Sequence, residues 1–214
     1  MRLSQTRRQQ AQLLNSVIDQ ALLAPSSRHQ QQLVQFTNTI PVTPLAERIR
    51  KRATLLGKRH KGDISPLLAA RDDLIMLLYA STVPQGWACA WCDGSCIKLD
   101  AHTQAGIGGI VMDSDGSIIA RISRAIGDHH AYEAELAAVA AVINTALEHQ
   151  QRRLWVFTDN HGLAQLWQEH RDDNRLAEIR RLASDLDRFA LQALPRQHNQ
   201  PANTLAKKAT GCVR

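Results

Sequence analysis

The sequence predicts an α/β protein with a mixed five-stranded sheet flanked by helices, preceded by a small all-helical N-terminal unit. Three observations support this. In about the first 80 residues, apolar side chains recur every three or four positions, as on helices with one buried face. At residues 83–86 the period changes to the alternation typical of strands. After residue 130, helical and apolar strand segments alternate, which favours a sheet with helices on its faces. We therefore predict a helical extension at 1–85 and an α/β domain at 86–214.

The N-terminal part is predicted to form four helices. The first two are expected at residues 4–24 and 27–37, separated by a proline and a serine. A turn with two prolines at 41–44 precedes a third, basic helix, and Ser65 with Pro66 begins a fourth. The basic segment carries Arg48, Arg50, Lys51, Arg52, Lys58, Arg59 and Lys61.

The α/β domain is predicted to open with three antiparallel strands and to continue with alternating helices and strands. An Asp-Ser-Asp-Gly turn at 113–116 joins the second and third strands. Strands are expected at 87–93, 106–113, 117–125, 153–158 and 191–194, and helices at 132–147, 160–170, 174–190 and 202–209.

The composition argues against several classes of protein. Hydrophobic residues make up 44% and charged residues 21% of the chain, which is near the average for globular proteins and does not favour disorder or a fibrous architecture. No apolar run approaches the roughly 18 residues that a membrane-spanning helix needs. The first residues are polar and then amphipathic, which argues against a secretory signal. We expect a cytoplasmic protein without a membrane partner.

The net charge of +6 is concentrated in the N-terminal part. Residues 1–85 hold 12 Lys/Arg against 5 Asp/Glu, whereas residues 86–214 hold 14 against 15. A basic segment suits a nucleic-acid partner, because Lys and Arg displace counterions from phosphates. A solvated basic helix surface explains the same excess, so charge alone leaves both interpretations open.

Three of the four cysteines, Cys89, Cys92 and Cys96, form a C-x-x-C-x-x-x-C pattern. Such a pattern suggests a zinc or redox site. On the predicted strand, however, Cys89 and Cys92 would face opposite sides of the sheet, and no second Cys/His pair stands at ligand spacing. We therefore predict that the cysteines, including Cys212, are structural thiols.

Three acidic residues stand where predicted strands end or a helix begins. Asp93 closes the first strand, Glu135 lies in the first turn of an alanine-rich helix, and Asp159 follows an apolar strand. Ligands gather at strand ends in α/β sheets, and a hard cation such as Mg²⁺ neutralises converging carboxylates. The local alternatives are a turn residue for Asp93 and a helix cap for Asp159. Glu135 has the neighbouring Glu133 as a rival, and either favours a helix start.

Four short segments of the α/β domain together form a pattern of sequence motifs in a fixed order. WCDGSC at 91–96, with GIGGIV one hairpin later, contains the first acid, and AELAA at 134–138 and FTDN at 157–160 contain the other two. The fourth is the tail LPRQHNQPANTLA at 194–206. In this order the segments resemble the type 1 ribonuclease H family, and the tail is similar to that of its shorter plant- and bacterial-type members. Residues 1–85 lie outside the resemblance.

The resemblance implies a ribonuclease H-like fold and a site for two Mg²⁺ or Mn²⁺ ions. Asp93 and Asp159 would hold one ion, and Asp93 and Glu135 the other. The family's fourth carboxylate falls at Asn203, an uncharged amide, so the second ion would be held less tightly. His198 lies in the loop where a histidine of relatives helps to release product.

The function implied by the resemblance is metal-dependent hydrolysis of the RNA strand of an RNA–DNA hybrid, with a 5′ phosphate and a 3′ hydroxyl as products. The family senses the RNA 2′-OH with the helix glutamate and with the backbone after the first carboxylate. These positions are Glu135, Gly94, Ser95 and Cys96. We further hypothesise that the basic third helix binds phosphates without sequence preference. Its candidate side chains are Arg48, Arg50, Lys51 and Arg52.

Two other functions stay open. An exonuclease of the proofreading type needs a D-x-E pair on the first strand, and Ser95 occupies the Glu position, which argues against it. A nucleic-acid-binding module that keeps the fold without turnover is favoured by Asn203.

Overall fold

A computed structural model of the chain describes residues 2–99, 103–170 and 173–211. The chain divides into two compact units, residues 1–82 and 83–214. This division lies close to the predicted boundary after residue 85. Within the described residues, no helix is both long and apolar enough to cross a membrane. The cytoplasmic location stays a prediction.

The described part of the N-terminal unit forms four helices. They are α1 (Arg2–Leu23), α2 (Ser27–Phe36), α3 (Val42–Arg59) and α4 (Ser65–Ala80). Ser26 caps α2, where its side-chain oxygen accepts a hydrogen bond from the His29 amide (3.3 Å). Helix α3 begins inside the predicted turn, because Pro44 is tolerated in a first turn, where backbone N–H groups lack helical partners. Buried side chains of this unit include Leu14, Ile18, Leu33, Leu45, Ile49, Leu74, Ile75 and Leu78.

The second unit contains a five-stranded mixed sheet with helices on its faces. Its strands are β1 (Ala88–Lys98), β2 (Thr103–Met112), β3 (Ile118–Gly127), β4 (Arg153–Thr158) and β5 (Arg188–Ala193). Its helices are α5 (Ala131–Glu148), α6 (His161–Gln168), α7 (Ala177–Ala183) and α8 (Gln200–Ala209). The strand order is β3-β2-β1-β4-β5; β1, β2 and β3 are antiparallel neighbours, and β4 pairs in parallel with both β1 and β5. The predicted fold class is confirmed.

The helix predicted at 174–190 is too long, and the strand predicted at 191–194 begins earlier than expected. A 3₁₀ turn, Asn174–Leu176, precedes the short helix α7, and β5 already begins at Arg188. The Asp187 amide donates to the Arg152 carbonyl (2.7 Å), which brings this segment beside β4. Pairing with a neighbouring strand therefore overrides the local helical pattern of this edge segment.

Glycines on β2 allow helices to approach both faces of the sheet. A Cβ at Gly108 would lie 2.1 Å from the Ala202 carbonyl oxygen in α8, and a Cβ at Gly109 would lie 2.7 Å from Val142 in α5. Successive strand residues face opposite sides, so α5 and α8 pack on opposite faces. The core on the α5 face also includes α6 and α7, through Leu163, Ala164, Ile179 and Leu182.

Candidate active site

Asp93 and Asp159 are brought together by the pairing of β1. This strand lies between β2, which is antiparallel, and β4, which is parallel. The parallel ladder ends at Cys92 and Thr158, so the next residue of each segment is an aspartate. Strand β1 continues along β2 to Lys98, so Asp93 lies within a strand and not at its end, contrary to the prediction. The carboxyl end of a parallel ladder is where binding sites form in α/β sheets.

Glu135 reaches the same point from the beginning of α5. Glu133 caps the helix, because its carboxylate accepts a hydrogen bond from the His130 amide (2.8 Å). Glu135 instead accepts a hydrogen bond from the Gly94 amide of β1 (3.3 Å to Oε2). A Cβ at Gly94 would lie 2.4 Å from the Glu135 nitrogen, so a glycine is needed for this close approach. The structure therefore selects Glu135 over Glu133.

The three acids form one cluster. One carboxylate oxygen from each of Asp93, Glu135 and Asp159 lies within 4.8 Å of the other two. Asp93 is 1% exposed, and the side chain of Asp159 is 2% exposed. Within 2–99, 103–170 and 173–211, no other group of three His, Cys, Asp or Glu side chains has a spacing suited to a metal ion.

Burial and repulsion disfavour charge on two of these carboxylates. Burial, together with the negative charges of Glu135 and Asp159, raises the pKa of Asp93 to about 9. Burial and the charge of Asp159 also raise the pKa of Glu135 to about 7, against the opposing effects of the Gly94 N–H and Arg196. Arg196 Nη1 lies 3.6 Å from Asp159 Oδ2, but its side chain is 66% exposed, so solvent screens its charge. A divalent cation among the three oxygens would remove this penalty.

The oxygen atoms of the site fit a hard divalent cation. Asp93 Oδ1 is buried and has no hydrogen-bond partner among the described residues. Buried polar oxygens normally have a partner, so this atom fits the coordination of a cation. Carboxylate and carboxamide oxygens are ligands that Mg²⁺ and Mn²⁺ accept.

Two further predicted site residues, Asn203 and His198, lie near the start of α8. Asn203 is buried (2% exposed) in this helix, which covers the sheet face that carries Asp93 and its β2 partner Gly108. His198 is also buried (1% exposed), in the 3₁₀ turn Arg196–His198. A histidine that helps to release product must reach the substrate, so burial of His198 does not support that role. Asn203 stays a predicted metal ligand.

The predicted substrate contacts Gly94, Ser95 and Cys96 follow Asp93 directly in β1. Ser95 and Cys96 are partly exposed, whereas the Gly94 amide is already bonded to Glu135. These contacts stay predictions.

The cysteines show the features of structural thiols. Cys89 and Cys92 are buried free thiols, and Cys96 is partly exposed. Burial raises the pKa of the Cys89 thiol to about 12, with a further contribution from Asp113. The thiolate is the form that binds metals, so this shift argues against a metal site at Cys89. Cys212 lies outside the described residues.

Two of the basic residues expected to bind phosphate make structural contacts within the helical unit. Arg48 donates from Nε to Asn15 Oδ1 of α1 (2.8 Å), and Arg52 donates from Nε to Asp19 Oδ1 of α1 (2.7 Å). Both arginines therefore link α3 to α1. The sequence does not indicate this role, because the four basic side chains are equivalent in its local pattern.

The other two residues of that set are more accessible. Arg50 pairs with Glu47 in its own helix (3.2 Å), and its side chain is 35% exposed. Lys51 is exposed. Phosphate binding by α3 stays a prediction, and Lys51 is the side chain best placed for it.

Sequence reasoning missed Asn199 as a site residue. Its side chain donates a hydrogen bond to Asp159 Oδ1 (3.0 Å), and it is 0% exposed. The available signal was its position in the tail segment at 194–206, where only Asn203 was assigned to the metal.

Residues 92–209 match the model of a family described as reverse transcriptase-like. Among solved structures, RNase H1 from the halophilic archaeon Halobacterium salinarum NRC-1 superimposes with a TM-score of 0.52 at 23% identity, covering 58% of this chain and 97% of that one. LC11-RNase H1, isolated from compost by a metagenomic approach, gives a TM-score of 0.52 at 18% identity, covering 59% and 96%. The same LC11 enzyme in complex with an RNA/DNA hybrid gives a TM-score of 0.51 at 18% identity, covering 58% of this chain and 96% of that one.

These structural matches show a shared fold. No curated protein sequence matches the chain significantly. The family match extends over more than half of the chain and contains Asp93, Glu135 and Asp159. The chain therefore belongs to the reverse transcriptase-like family, and its second unit has the fold of the RNase H1 structures.

Proposed function

We propose that this protein is a divalent-metal-dependent endonuclease that hydrolyses the RNA strand of RNA–DNA hybrids and leaves a 5′ phosphate and a 3′ hydroxyl. The observation that carries the proposal is the convergence of Asp93, Glu135 and Asp159 within 4.8 Å on a ribonuclease H-like fold. A buried group of like charges has no structural benefit without a cation, and carboxylates that share a cation are the usual equipment of metal-dependent phosphodiester hydrolysis.

Two Mg²⁺ or Mn²⁺ ions are the proposed cofactors. Asp93 and Asp159 would hold one ion, and Asp93 and Glu135, with Asn203, the other. When bound, the ions would lower the pKa of a water molecule and stabilise the charge that develops on the leaving 3′ oxygen. The protein's own contribution is orientation: the Gly94 amide holds Glu135, and the burial of Asp93 keeps its carboxylate in one environment.

The proposed substrate is an RNA–DNA hybrid. LC11-RNase H1, which shares the fold, forms a complex with an RNA/DNA hybrid, which supports this class of substrate. Sensing of the 2′-OH is proposed for Glu135 and for Gly94, Ser95 and Cys96. Additional sequence-independent affinity is proposed for the basic N-terminal residues.

A second candidate function is hybrid binding with weak or no turnover. Asn203 favours it, because a carboxamide carries no charge at the position where the family has its fourth carboxylate, and it holds a second ion less tightly.

A cleavage assay with a labelled RNA–DNA hybrid, in Mg²⁺ and separately in Mn²⁺, tests the proposal. DNA–DNA and RNA–RNA duplexes of the same sequence serve as substrate controls. We expect cleavage of the hybrid alone, and a decrease of about a thousand-fold for Asp93→Asn, because losing a shared metal ligand removes several kcal/mol of transition-state stabilisation. Thermal unfolding verifies that the variant is folded.

Asn203→Asp separates the two candidate functions. If the amide weakens the second ion, this variant should need less Mg²⁺ for half-maximal cleavage than the wild type. A wild-type protein that binds the hybrid but cuts it with neither ion would support the binding module and exclude the nuclease.

A further inference from the structure

Asn199 is a fully buried residue at the start of α8 that contacts the acidic cluster. Its side-chain nitrogen, Nδ2, donates to the Cys92 carbonyl (2.9 Å) and to Asp159 Oδ1 (3.0 Å). Cys92 directly precedes Asp93 in β1, and Asp159 directly follows β4. The amide therefore links the two strands at the point where their parallel ladder ends.

The two partners determine the orientation of this amide. A carbonyl oxygen and a carboxylate oxygen accept hydrogen bonds, so a flipped amide would place Asn199 Oδ1 against two other oxygens. Both acceptors therefore require the NH₂ group of Asn199 on this side. Its Oδ1 atom, on the other side, is buried and has no partner among the described residues.

Asn199 makes these contacts instead of a local one. Asparagine at a helix start usually caps the helix, with its side-chain oxygen accepting from a backbone N–H of the first turn. Asn199 stands at this position of α8 and makes no such side-chain bond. Its backbone carbonyl accepts from the Asn203 amide (3.0 Å), so it also connects the cluster to the helix that carries Asn203. The side chain thus bonds to the acidic cluster and does not cap the helix.

We propose that Asn199 is a positioning residue of the metal site, which holds the Asp159 carboxylate so that it and Asp93 face the same cation. This inference rests on the proposed function, because it assigns Asn199 a role toward the ion that Asp93 and Asp159 would hold. Because Asp159 Oδ1 accepts a hydrogen bond from the buried Asn199 amide, the Asp159 carboxylate cannot rotate freely. A cation that binds therefore meets a ligand already in place. Loss of a hydrogen bond to a metal ligand typically weakens metal affinity about 10- to 100-fold.

The test is the Mn²⁺ affinity of the full chain without substrate, measured by titration calorimetry. Asn199→Leu keeps the branched shape of the side chain and removes the donor. Ser123→Ala is the matched control, because it removes a different hydrogen bond to α8, from the Ser123 hydroxyl to the Leu205 carbonyl (2.8 Å). We expect the dissociation constant for Mn²⁺ to rise about 10- to 100-fold in Asn199→Leu and to stay within about twofold of wild type in Ser123→Ala.

The outcomes distinguish this inference from the proposed function. If the wild type and Asn199→Leu bind Mn²⁺ equally well, the inference is overturned and the proposed function stands. If the wild type binds no Mn²⁺, the proposed function fails and the inference fails with it.

A second measurement does not depend on a variant that folds. In the assigned NMR spectrum of the wild type, the side-chain NH₂ protons of Asn199 should exchange slowly with solvent and shift when Mg²⁺ is added. Slow exchange with no Mg²⁺-dependent shift would assign Asn199 to the fold alone and overturn the inference.

Discussion

The helical unit and the sheet domain use charged side chains in opposite ways. In the helical unit, Arg52 pairs with Asp19 and Arg48 bonds to Asn15, so the arginines of α3 connect it to α1. In the sheet domain, three carboxylates converge, and Asp93 among them is 1% exposed. Opposite charges in contact contribute to the stability of a fold, whereas buried like charges oppose it.

This difference separates structural charges from functional ones. A cluster that raises the pKa of Asp93 to about 9 lowers the stability of the cation-free protein. A local arrangement that is unfavourable for folding is the expected mark of a functional site. Conversely, the excess of Lys and Arg in residues 1–85 overstates the charge available to a partner, because some of these side chains are bonded within the unit.

Adding a methyl group to one glycine in each region should have opposite effects. In Gly94→Ala, the new Cβ would lie 2.4 Å from the Glu135 nitrogen and 2.5 Å from the Ala134 carbonyl carbon. Both are backbone atoms, which cannot move aside as a flexible side chain can. We expect a loss of about 1–3 kcal/mol in the free energy of unfolding and, because Glu135 is displaced, a decrease in cleavage of about 100-fold. Urea denaturation and the hybrid cleavage assay measure the two effects.

Gly57→Ala in α3 is the matched variant. Its Cβ would have no neighbour closer than 3.7 Å, at Leu67. Alanine is a better helix former than glycine, so we expect a gain of about 0.5–1 kcal/mol and unchanged cleavage. A tolerated Gly94→Ala with full activity would contradict the close packing of α5 on β1.

The stability of the cation-free protein should fall as pH rises from about 4 to about 9. The pKa of Asp93 is raised from 3.8 to about 9, and that of Glu135 from 4.5 to about 7, so between these values the folded state holds protons that the unfolded state releases. More protons bound to the folded state means that the free energy of unfolding decreases with pH. Urea denaturation at pH 5 and pH 8, in the presence of a chelator, measures the decrease.

Asp93→Asn should reduce this decrease, because the amide does not titrate. At pH 8 without cations we expect the variant to be about 1–2 kcal/mol more stable than wild type, although we expect it to lose most of its cleavage activity. Asp115→Asn, in the exposed hairpin turn, is the control and should follow the wild-type curve. Equal stability of wild type and Asp93→Asn at pH 8 would mean that burial of the cluster is not unfavourable.

The smallest expected effects concern α3. Arg52→Ala should lower the free energy of unfolding by about 1 kcal/mol, because it removes a partly buried pair with Asp19.

Lys51→Ala should leave the free energy of unfolding unchanged. If α3 binds phosphate as predicted, this variant should weaken hybrid binding slightly and reduce the salt dependence of binding by about one counterion. Urea denaturation and hybrid binding at several salt concentrations separate the two roles. Unchanged binding and salt dependence in Lys51→Ala would remove Lys51 from the phosphate contacts.

Much of the fold was predictable from local patterns. The change of apolar period near residue 83, the Asp-Ser-Asp-Gly turn and the apolar strand at 153–158 each depend on residues close in sequence, and the structure has these elements. The boundary between α7 and β5 was not predictable in this way, since β5 is held by pairing with β4. Its charged residues Asp185, Asp187 and Arg188 give no strand alternation.

The candidate site was predictable as a set of acids and not as an assembly of contacts. The sequence identifies Asp93, Glu135 and Asp159 because each is expected at a strand or helix end and because four segments resemble a known family. The physical reason for choosing Glu135 over Glu133 is visible only in the structure, where Glu133 caps the helix at His130 and Glu135 accepts a hydrogen bond from Gly94.

The sequence by itself determined the order of helices and strands, the basic excess of residues 1–85 and the three acids, because these follow from residue types and their local spacing. Only the tertiary structure decided that Arg48 and Arg52 link two helices and that Asn199 contacts Cys92, which is 107 residues away in sequence. The physical reason is that a hydrogen bond or an ion pair depends on distances of a few ångströms between side chains. Such distances exist only after strands have paired and helices have packed.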